Sequence, residues 1–194
     1  MHLKVKDLSM MAIMEALLIV CSKLSFNIGP IPLTFQTFAV FIIPLILGFK
    51  KSIIVFGLYI IMGIAGIPVF SKGGGWNYIF EPSFGFIIGF FFSSMVVSLG
   101  SKSNKFYTKY ITSTIGLLIL NIIGIIYMYL IMNYYLELDK SISYVISVGF
   151  APFIAKDIIT VVLACIVYSR LKVIIYKEDT YHEDIKLYEK TNIN

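Results

Sequence analysis

The sequence predicts an all-α integral membrane protein, a six-helix bundle with both termini on the cytoplasmic side. Of its 194 residues, 58% are hydrophobic and 14% are charged, and the hydrophobic residues fall in continuous blocks instead of the one-sided stripes of soluble helices. Backbone groups inside lipid must bond within the protein, and uniform blocks favour helices because the strands of a membrane barrel alternate polar and apolar residues. The placement of lysines and arginines between the blocks predicts the orientation.

Six hydrophobic blocks account for nearly the whole chain, and most of them approach the about 20 residues that cross the hydrocarbon layer. The first block, 8–25, follows two lysines as a signal peptide does, but it contains Glu15 and no small-residue cleavage site follows it. We therefore interpret it as a retained span. The remaining spans are predicted at 33–49, 52–70, 84–99, 110–136 and 145–171.

The basic residues are concentrated on one side of this arrangement, at intervals of two spans. Connections rich in lysine and arginine are expected to be cytoplasmic, and the residues concerned are Lys4, Lys6, Lys50, Lys51, Lys102, Lys105, Lys109, Arg170 and Lys172. The external loops are then 26–33, 71–83 and 137–146. Residues 1–172 are predicted to form one membrane domain, and residues 173–194 a polar cytoplasmic tail. Because the net charge of +5 reflects this topology, it gives no support to a nucleic-acid partner.

A carboxylate lies inside the last predicted span, in the stretch GFAPFIAKDIITVVLA at 149–164. An ionised Asp157 at this depth costs about 2.5 to 3.5 kcal/mol on insertion scales, so it is expected to face a cavity or a partner group and not lipid. Phe153, Asp157 and Thr160 share one helix face below Pro152, which favours a pocket wall that opens to the outside. The alternative is that Asp157 pairs within the protein and only holds the bundle together.

That alternative allows several partners for the carboxylate, among them Lys23, Lys156 and a helix N-terminus. Lys156 directly precedes Asp157 in the sequence. Side chains of adjacent helical residues point about 100° apart. We therefore expect Lys156 to be a poor direct partner.

The first external loop leads into a polar cluster. In NIGPIPLTFQTFAV, at 27–40, two prolines precede Thr34, Gln36 and Thr37, and proline interrupts a helix before the span begins. The amide of Gln36 would bind a ligand or bond across helices, and the sequence leaves both open.

The second external loop combines glycines with aromatic residues. Three consecutive glycines precede Trp76, Tyr78 and Phe80. Glycine permits backbone conformations closed to other residues, and the aromatic rings offer flat apolar surfaces. The loop is expected either to fold over a bound molecule or to form a flexible turn with aromatic anchors at the membrane interface.

Ala12 and Ala16 lie one turn apart around Glu15 in the first span. Small residues at this spacing flatten a helix face and permit the close approach of another helix. That helix belongs either to this chain or to a second protein.

The sequence gives little support to an enzyme or a metalloprotein. An intramembrane lipid enzyme would use Asp157 or Glu15 as acid or base, but neither has an evident His, Cys or metal partner. No CxxC or HExxH pattern occurs, and both histidines lie outside the predicted spans. We therefore expect no metal, no cofactor and no catalytic residues.

Four stretches, taken in order, resemble the BioY family, the biotin-specific substrate-binding subunits of energy-coupling-factor (ECF) transporters. The resemblance covers residues 8–172 and rests on PIPLTFQTFAV at 30–40, GIAGIPVF at 63–70, EPSFGFIIGF at 81–90 and PFIAKD at 152–157. It implies a multi-pass subunit of the cell membrane that captures a vitamin from outside and has no catalytic activity. It also implies that the face of Ala12 and Ala16 docks on a transmembrane coupling protein driven by two ATPases. The chain itself contains no GxxxxGK[ST] phosphate loop.

The resemblance also implies roles for individual residues. Asp157 would accept hydrogen bonds from the ureido N–H groups of biotin, Gln36 and Asn77 would add polar contacts, and the aromatic residues Phe70, Trp76 and Tyr78 would pack on the bicyclic ring and close the lid. Lys72 is the candidate partner of the pentanoate carboxylate, because of its charge and position.

Two departures from the family pattern leave the ligand open. Thr160 stands where the family often has a lysine, and Glu81 and Phe84 stand where glycines are common. The loss of a buried cation changes affinity or ligand preference. Lipoate, which has a pentanoate tail but no ureido ring, is therefore an alternative ligand, and a solitary carrier with Asp157 as the titrating group is an alternative function.

Overall fold

The computed structural model describes residues 4–28, 31–103 and 105–192. Within these ranges the chain forms six α-helices and one β-hairpin. The predicted class, an all-α bundle of six helices, is confirmed. The helices are α1 (Val5–Lys23), α2 (Gln36–Ile64), α3 (Phe84–Val97), α4 (Phe106–Leu130), α5 (Ile142–Gly149) and α6 (Ala151–Asn192).

Several of the helical segments have the length and composition of membrane spans. In the described part of the chain, four helical segments are long and apolar enough to cross a bilayer, namely Gln36–Ile64, Phe84–Lys102, Phe106–Tyr135 and Ala151–Leu171. Helix α4 also carries a stripe of exposed large apolar side chains at helical spacing, which is suited to contact with lipid. The stripe consists of Ile111, Ile115, Leu118, Ile122 and Ile126. The chain is a multi-pass membrane protein, and the cytoplasmic placement of its termini stays a prediction.

Helix α2 is two antiparallel helices joined at Gly48, not one straight rod. Gly48 has φ 69° and ψ −176°, a conformation that glycine adopts without strain. The amide nitrogen of Gln36, at the start of α2, donates to the hydroxyl of Tyr59 over 2.7 Å although 23 positions separate them. The same positions on a straight helix would lie about 34 Å apart. The two halves of α2 are therefore the predicted second and third spans.

The first predicted external loop contains a β-hairpin that the sequence patterns did not predict. Strand β1 (Ser25–Ile28) pairs antiparallel with strand β2 (Ile31–Thr34), with the first residue of β1 opposite the last residue of β2. Each strand has 4 residues, which is too short to show a clear alternation. Pro32 favours an extended residue before it. The prediction that the second span begins at residue 33 was wrong, because α2 begins at Gln36.

The other two predicted external loops also contain helical structure. A 3-10 helix, Trp76–Phe80, lies in the second loop, and α2 ends at Ile64, before the predicted boundary at residue 70. Helix α5 takes up the end of the third loop and the start of the predicted sixth span, and Phe150 separates it from α6. Pro152 lies in the first turn of α6, as predicted. The predicted polar tail continues α6 as far as Asn192.

Helices α3 and α4 approach each other closely through glycines on α3. A methyl group built on Gly89 would lie 2.9 Å from the carbonyl oxygen of Leu120, and one built on Gly85 would lie 2.3 Å from Cβ of Tyr127. Small residues one turn apart allow such close packing of helices in membranes. The approach also brings Leu120 and Asn121 to the wall of the cavity described below.

Gly89→Ala is expected to destabilise the protein by about 1 to 3 kcal/mol, because the added methyl meets backbone that moves only if α4 shifts. Gly57→Ala is the matched control, since the nearest atom to its methyl would be the Phe91 side chain at 3.9 Å, an ordinary contact. Thermal unfolding in detergent measures both variants. Equal unfolding temperatures for Gly89→Ala and the wild type would contradict the close packing.

Candidate ligand-binding site

A cavity with about 530 Å³ of empty space, partly open to solvent, lies between the β-hairpin, α2, α3, α4 and α6. The hairpin and the start of α6 lie on the predicted external side of the membrane. The wall consists of Ile31, Pro32, Thr34, Gln36, Thr37, Ser71, Ser83, Phe86, Ile87, Phe90, Leu120, Asn121, Gly149, Phe153, Lys156 and Asp157.

Asp157 is the one carboxylate in the described wall of the cavity. Asp157 is 4% exposed to solvent. The Lys156 ammonium nitrogen lies 2.6 Å from Oδ1 of Asp157, so the prediction that Lys156 is a poor partner was wrong. The long, flexible lysine stem bends around the helix and spans the angle between adjacent residues. The Lys156 ammonium group is therefore the partner of Oδ1 among the described residues.

Lys156 also holds three elements of the wall together. Its ammonium group donates to the backbone oxygen of Thr34 over 3.1 Å and to the hydroxyl of Thr37 over 2.9 Å. These two hydrogen bonds connect α6 to β2 and to the start of α2. The carboxylate thus lines a cavity and is paired within the protein at the same time, so the two interpretations of Asp157 describe one arrangement. Sequence reasoning missed Lys156 as a residue of the wall.

Gln36 connects the cavity wall to residues outside the wall through hydrogen bonds. Its amide nitrogen donates to the Tyr59 hydroxyl, which in turn donates to the backbone oxygen of Val69 over 3.2 Å. The amide nitrogen is therefore used by the protein, and the amide oxygen is the group of Gln36 that remains for a ligand. The hydroxyl of Thr34 accepts from the backbone N–H of Gln36 over 3.4 Å.

Several residues predicted from the sequence lie outside the cavity wall. The Thr160 hydroxyl donates along its own helix to the backbone oxygen of Lys156 over 2.7 Å. Lys72 lies at the surface, where its ammonium nitrogen is 3.0 Å from Oε2 of Glu81. Asn77 is exposed. The predicted ligand contacts of these residues stay predictions.

Of the predicted aromatic residues, Phe70 and Tyr78 pack against each other outside the cavity wall. Phe70 is fully buried, and its ring centre lies 5.3 Å from that of Tyr59 and 4.6 Å from that of Tyr78. Trp76 is 66% exposed. Of the aromatic residues named from the sequence, Phe153 is the one that belongs to the wall.

The glycine and aromatic loop is fastened to α4. The Tyr127 hydroxyl donates to the backbone oxygen of Ile79, and the rings of Phe80 and Tyr135 stack with centres 4.5 Å apart and planes 17° apart. Stacked aromatic pairs contribute about 0.5 to 1.5 kcal/mol beyond their buried area. The loop is thus structured and not a free turn, and its closure over a bound molecule stays a prediction.

Sequence reasoning also missed polar groups on the opposite wall. Asn121 lies in the middle of an apolar block of α4, and Ser83 lies just before α3. A single amide within an apolar span is the same kind of signal that identified Asp157. The sequence therefore contained a signal for Asn121. It contained no such signal for Ser83, which stands between a proline and a phenylalanine.

The fold and the cavity together define a class, a multi-pass helical membrane protein with a cavity that is lined by a partly buried ion pair. The model of the BioY family matches residues 1–177. The biotin transporter BioY of Thermotoga maritima is 33% identical over 162 residues, which cover 82% of this chain and 92% of that protein. A probable biotin transporter BioY of Pyrococcus horikoshii is 34% identical over 171 residues, which cover 88% and 98%. The chain belongs to the BioY family.

A solved structure agrees with this assignment at the level of the fold. The crystal structure at 2.1 Å of the S-component for biotin from an ECF-type ABC transporter superposes with a TM-score of 0.76. It is 23% identical in sequence, and the match covers 87% of this chain and 91% of that one. The resemblance inferred from the four sequence stretches is therefore confirmed.

Proposed function

We propose that this chain is the biotin-binding subunit of an ATP-driven ECF transporter, with the cavity beside Asp157 as the biotin site. The observation that carries the proposal is the buried carboxylate of Asp157, which lines the cavity and is paired with the Lys156 ammonium group in the same wall. Two relatives of this chain are named as a biotin transporter and a probable biotin transporter, which supports the choice of ligand.

The wall offers the chemistry that biotin requires. A buried carboxylate is a strong acceptor for the N–H groups of a ureido ring, because a charged acceptor strengthens the hydrogen bond. The Lys156 ammonium group lies beside the carboxylate as its counter-charge. Phe86, Ile87 and Phe90 supply apolar surface for the carbon skeleton.

The proposed transporter has further subunits that dock on α1. Ala12 and Ala16 are exposed there, next to Ile13, which is 61% exposed. An exposed helix face with small residues suits a transmembrane coupling protein. Because the sequence contains no phosphate loop, two partner ATPases would hydrolyse the ATP, and this chain would have no catalytic activity or cofactor of its own.

Calorimetry on the purified protein in detergent tests the ligand. Biotin is expected to bind with a nanomolar Kd in the absence of ATP, and biotin at 100 times its Kd is expected to stabilise the protein by about 2.7 kcal/mol. Lipoate is expected to have little effect on unfolding, because it leaves the buried acceptors unpaired. Stabilisation by lipoate together with no heat from biotin would reverse the assignment.

Uptake separates the proposed transporter from a solitary carrier. Uptake of labelled biotin is expected to stop in cells that lack every coupling ATPase. Unchanged uptake in those cells would favour the carrier.

A further inference from the structure

The polar groups of the cavity wall divide into those that the protein already uses and those that it leaves unpaired. Lys156 donates to Thr34 and Thr37 and pairs with Asp157. The amide nitrogen of Gln36 donates to Tyr59. Because a buried polar group without a partner is unfavourable, the unpaired groups indicate where a ligand binds.

Ser83 has one of these unpaired groups. It is 5% exposed, and its hydroxyl is buried without a hydrogen-bond partner. The residue occupies the N-cap position of α3, where serine usually accepts from a helix N–H, yet the side chain makes no capping bond. The hydroxyl belongs to the cavity wall instead. It is free both to donate and to accept a hydrogen bond.

Asn121 supplies a second group from the opposite helix. It is 4% exposed and belongs to the cavity wall. Its amide nitrogen donates to the backbone oxygen of Leu117 over 2.9 Å. The amide oxygen has no donor among the described residues, so an acceptor remains available to a ligand.

We propose that Ser83 and Asn121 are specificity-determining residues that bind a cyclic urea together with Asp157. A cyclic urea presents two N–H donors and one carbonyl acceptor in a single plane. Asp157 on α6 and Asn121 on α4 each accept one N–H, and the Ser83 hydroxyl donates to the urea carbonyl. The three partners come from three parts of the chain around one cavity, which are α6, α4 and the residue before α3. This inference rests on the proposed function.

Single substitutions test the two residues by calorimetry with biotin. Ser83→Ala and Asn121→Leu are each expected to weaken binding by about tenfold, because each removes one hydrogen bond to a buried ligand group. Ser83→Thr keeps the hydroxyl and is expected to bind within about threefold of the wild type. Desthiobiotin, which retains the cyclic urea but lacks the sulfur ring, is expected to show the same relative losses.

Ser93→Ala is the matched control, because Ser93 is also a buried hydroxyl on α3 without a partner but lies outside the cavity wall. It is expected to leave the affinity for biotin unchanged. A folding defect reduces the fraction of binding-competent protein, which calorimetry reports as stoichiometry and not as affinity.

The outcomes separate the inference from the proposed function. If the wild type binds biotin tightly while Ser83→Ala and Asn121→Leu bind it equally well, the inference is overturned and the proposed function stands. An affinity loss in Ser93→Ala as large as that in Ser83→Ala would also overturn it, since the effect would not come from the cavity. If the wild type does not bind biotin, the proposed function itself fails.

Discussion

Asp157→Ala is expected to weaken biotin binding by at least about a hundredfold. A hydrogen bond to a charged group contributes about 1.5 to 3 kcal/mol, and its loss also leaves a ligand N–H buried without a partner. The substitution removes the partner of Lys156 as well, so a cation remains in the wall without its counter-charge. Calorimetry with purified wild type and variant measures the change in affinity.

Asp157→Asn and Lys72→Ala are the informative controls for this prediction. Asp157→Asn keeps a carbonyl acceptor of the same shape, so the expected loss is about tenfold, between the wild type and Asp157→Ala. Lys72 pairs with Glu81 at the surface, outside the cavity wall, so Lys72→Ala, which tests the predicted contact with the pentanoate carboxylate, is expected to weaken binding much less than Asp157→Ala. Equal and negligible effects of Asp157→Ala and Lys72→Ala would remove Asp157 from the site.

The sequence predicted the spans and the buried acid because lipid imposes strong and simple constraints. A block of about 20 apolar residues has few alternatives to a spanning helix. A carboxylate in such a block needs a compensating environment, and Asp157 has one. The reversal of α2 at Gly48 was recoverable for the same reason, since Lys50 and Lys51 interrupt the apolar run there.

The features that the sequence did not predict depend on tertiary contacts. The β-hairpin has strands of 4 residues, and its backbone pairing is independent of a periodic pattern of side chains. The pairing of Lys156 with Asp157 depends on a bent lysine stem that also reaches Thr34 and Thr37 on other elements. The angle between adjacent residues on one helix does not predict these contacts of Lys156.

A hydrogen-bond network connects the cavity to α1. Gln36 in the cavity wall bonds to Tyr59, and Tyr59 donates to the backbone oxygen of Val69. The Ser22 hydroxyl of α1 donates to the same oxygen over 2.5 Å, and the ammonium group of Lys23 donates to the next carbonyl, that of Phe70, over 2.6 Å. The proposed ligand site and the proposed docking helix are therefore connected through one loop.

The outer and inner faces of α1 differ sharply. Leu18 is fully buried and Glu15 is 8% exposed, and both face the bundle. Ala12 and Ala16 are exposed on the other side. A lipid-facing stripe needs no small residues, and the exposed stripe of α4 consists of isoleucine and leucine. The exposed alanines support the proposal that another helix docks on this face of α1.

The double substitution Ala12→Leu with Ala16→Leu is expected to reduce ATP-driven biotin uptake by more than about tenfold, because the larger side chains keep a partner helix from close approach. Biotin binding to the purified variant is expected to stay unchanged, since neither alanine belongs to the cavity wall. Ile122→Trp on the exposed stripe of α4 enlarges a side chain that faces lipid and is expected to keep normal uptake. Normal uptake by the α1 variant, or equal losses in both variants, would show that the alanine face is not the docking surface.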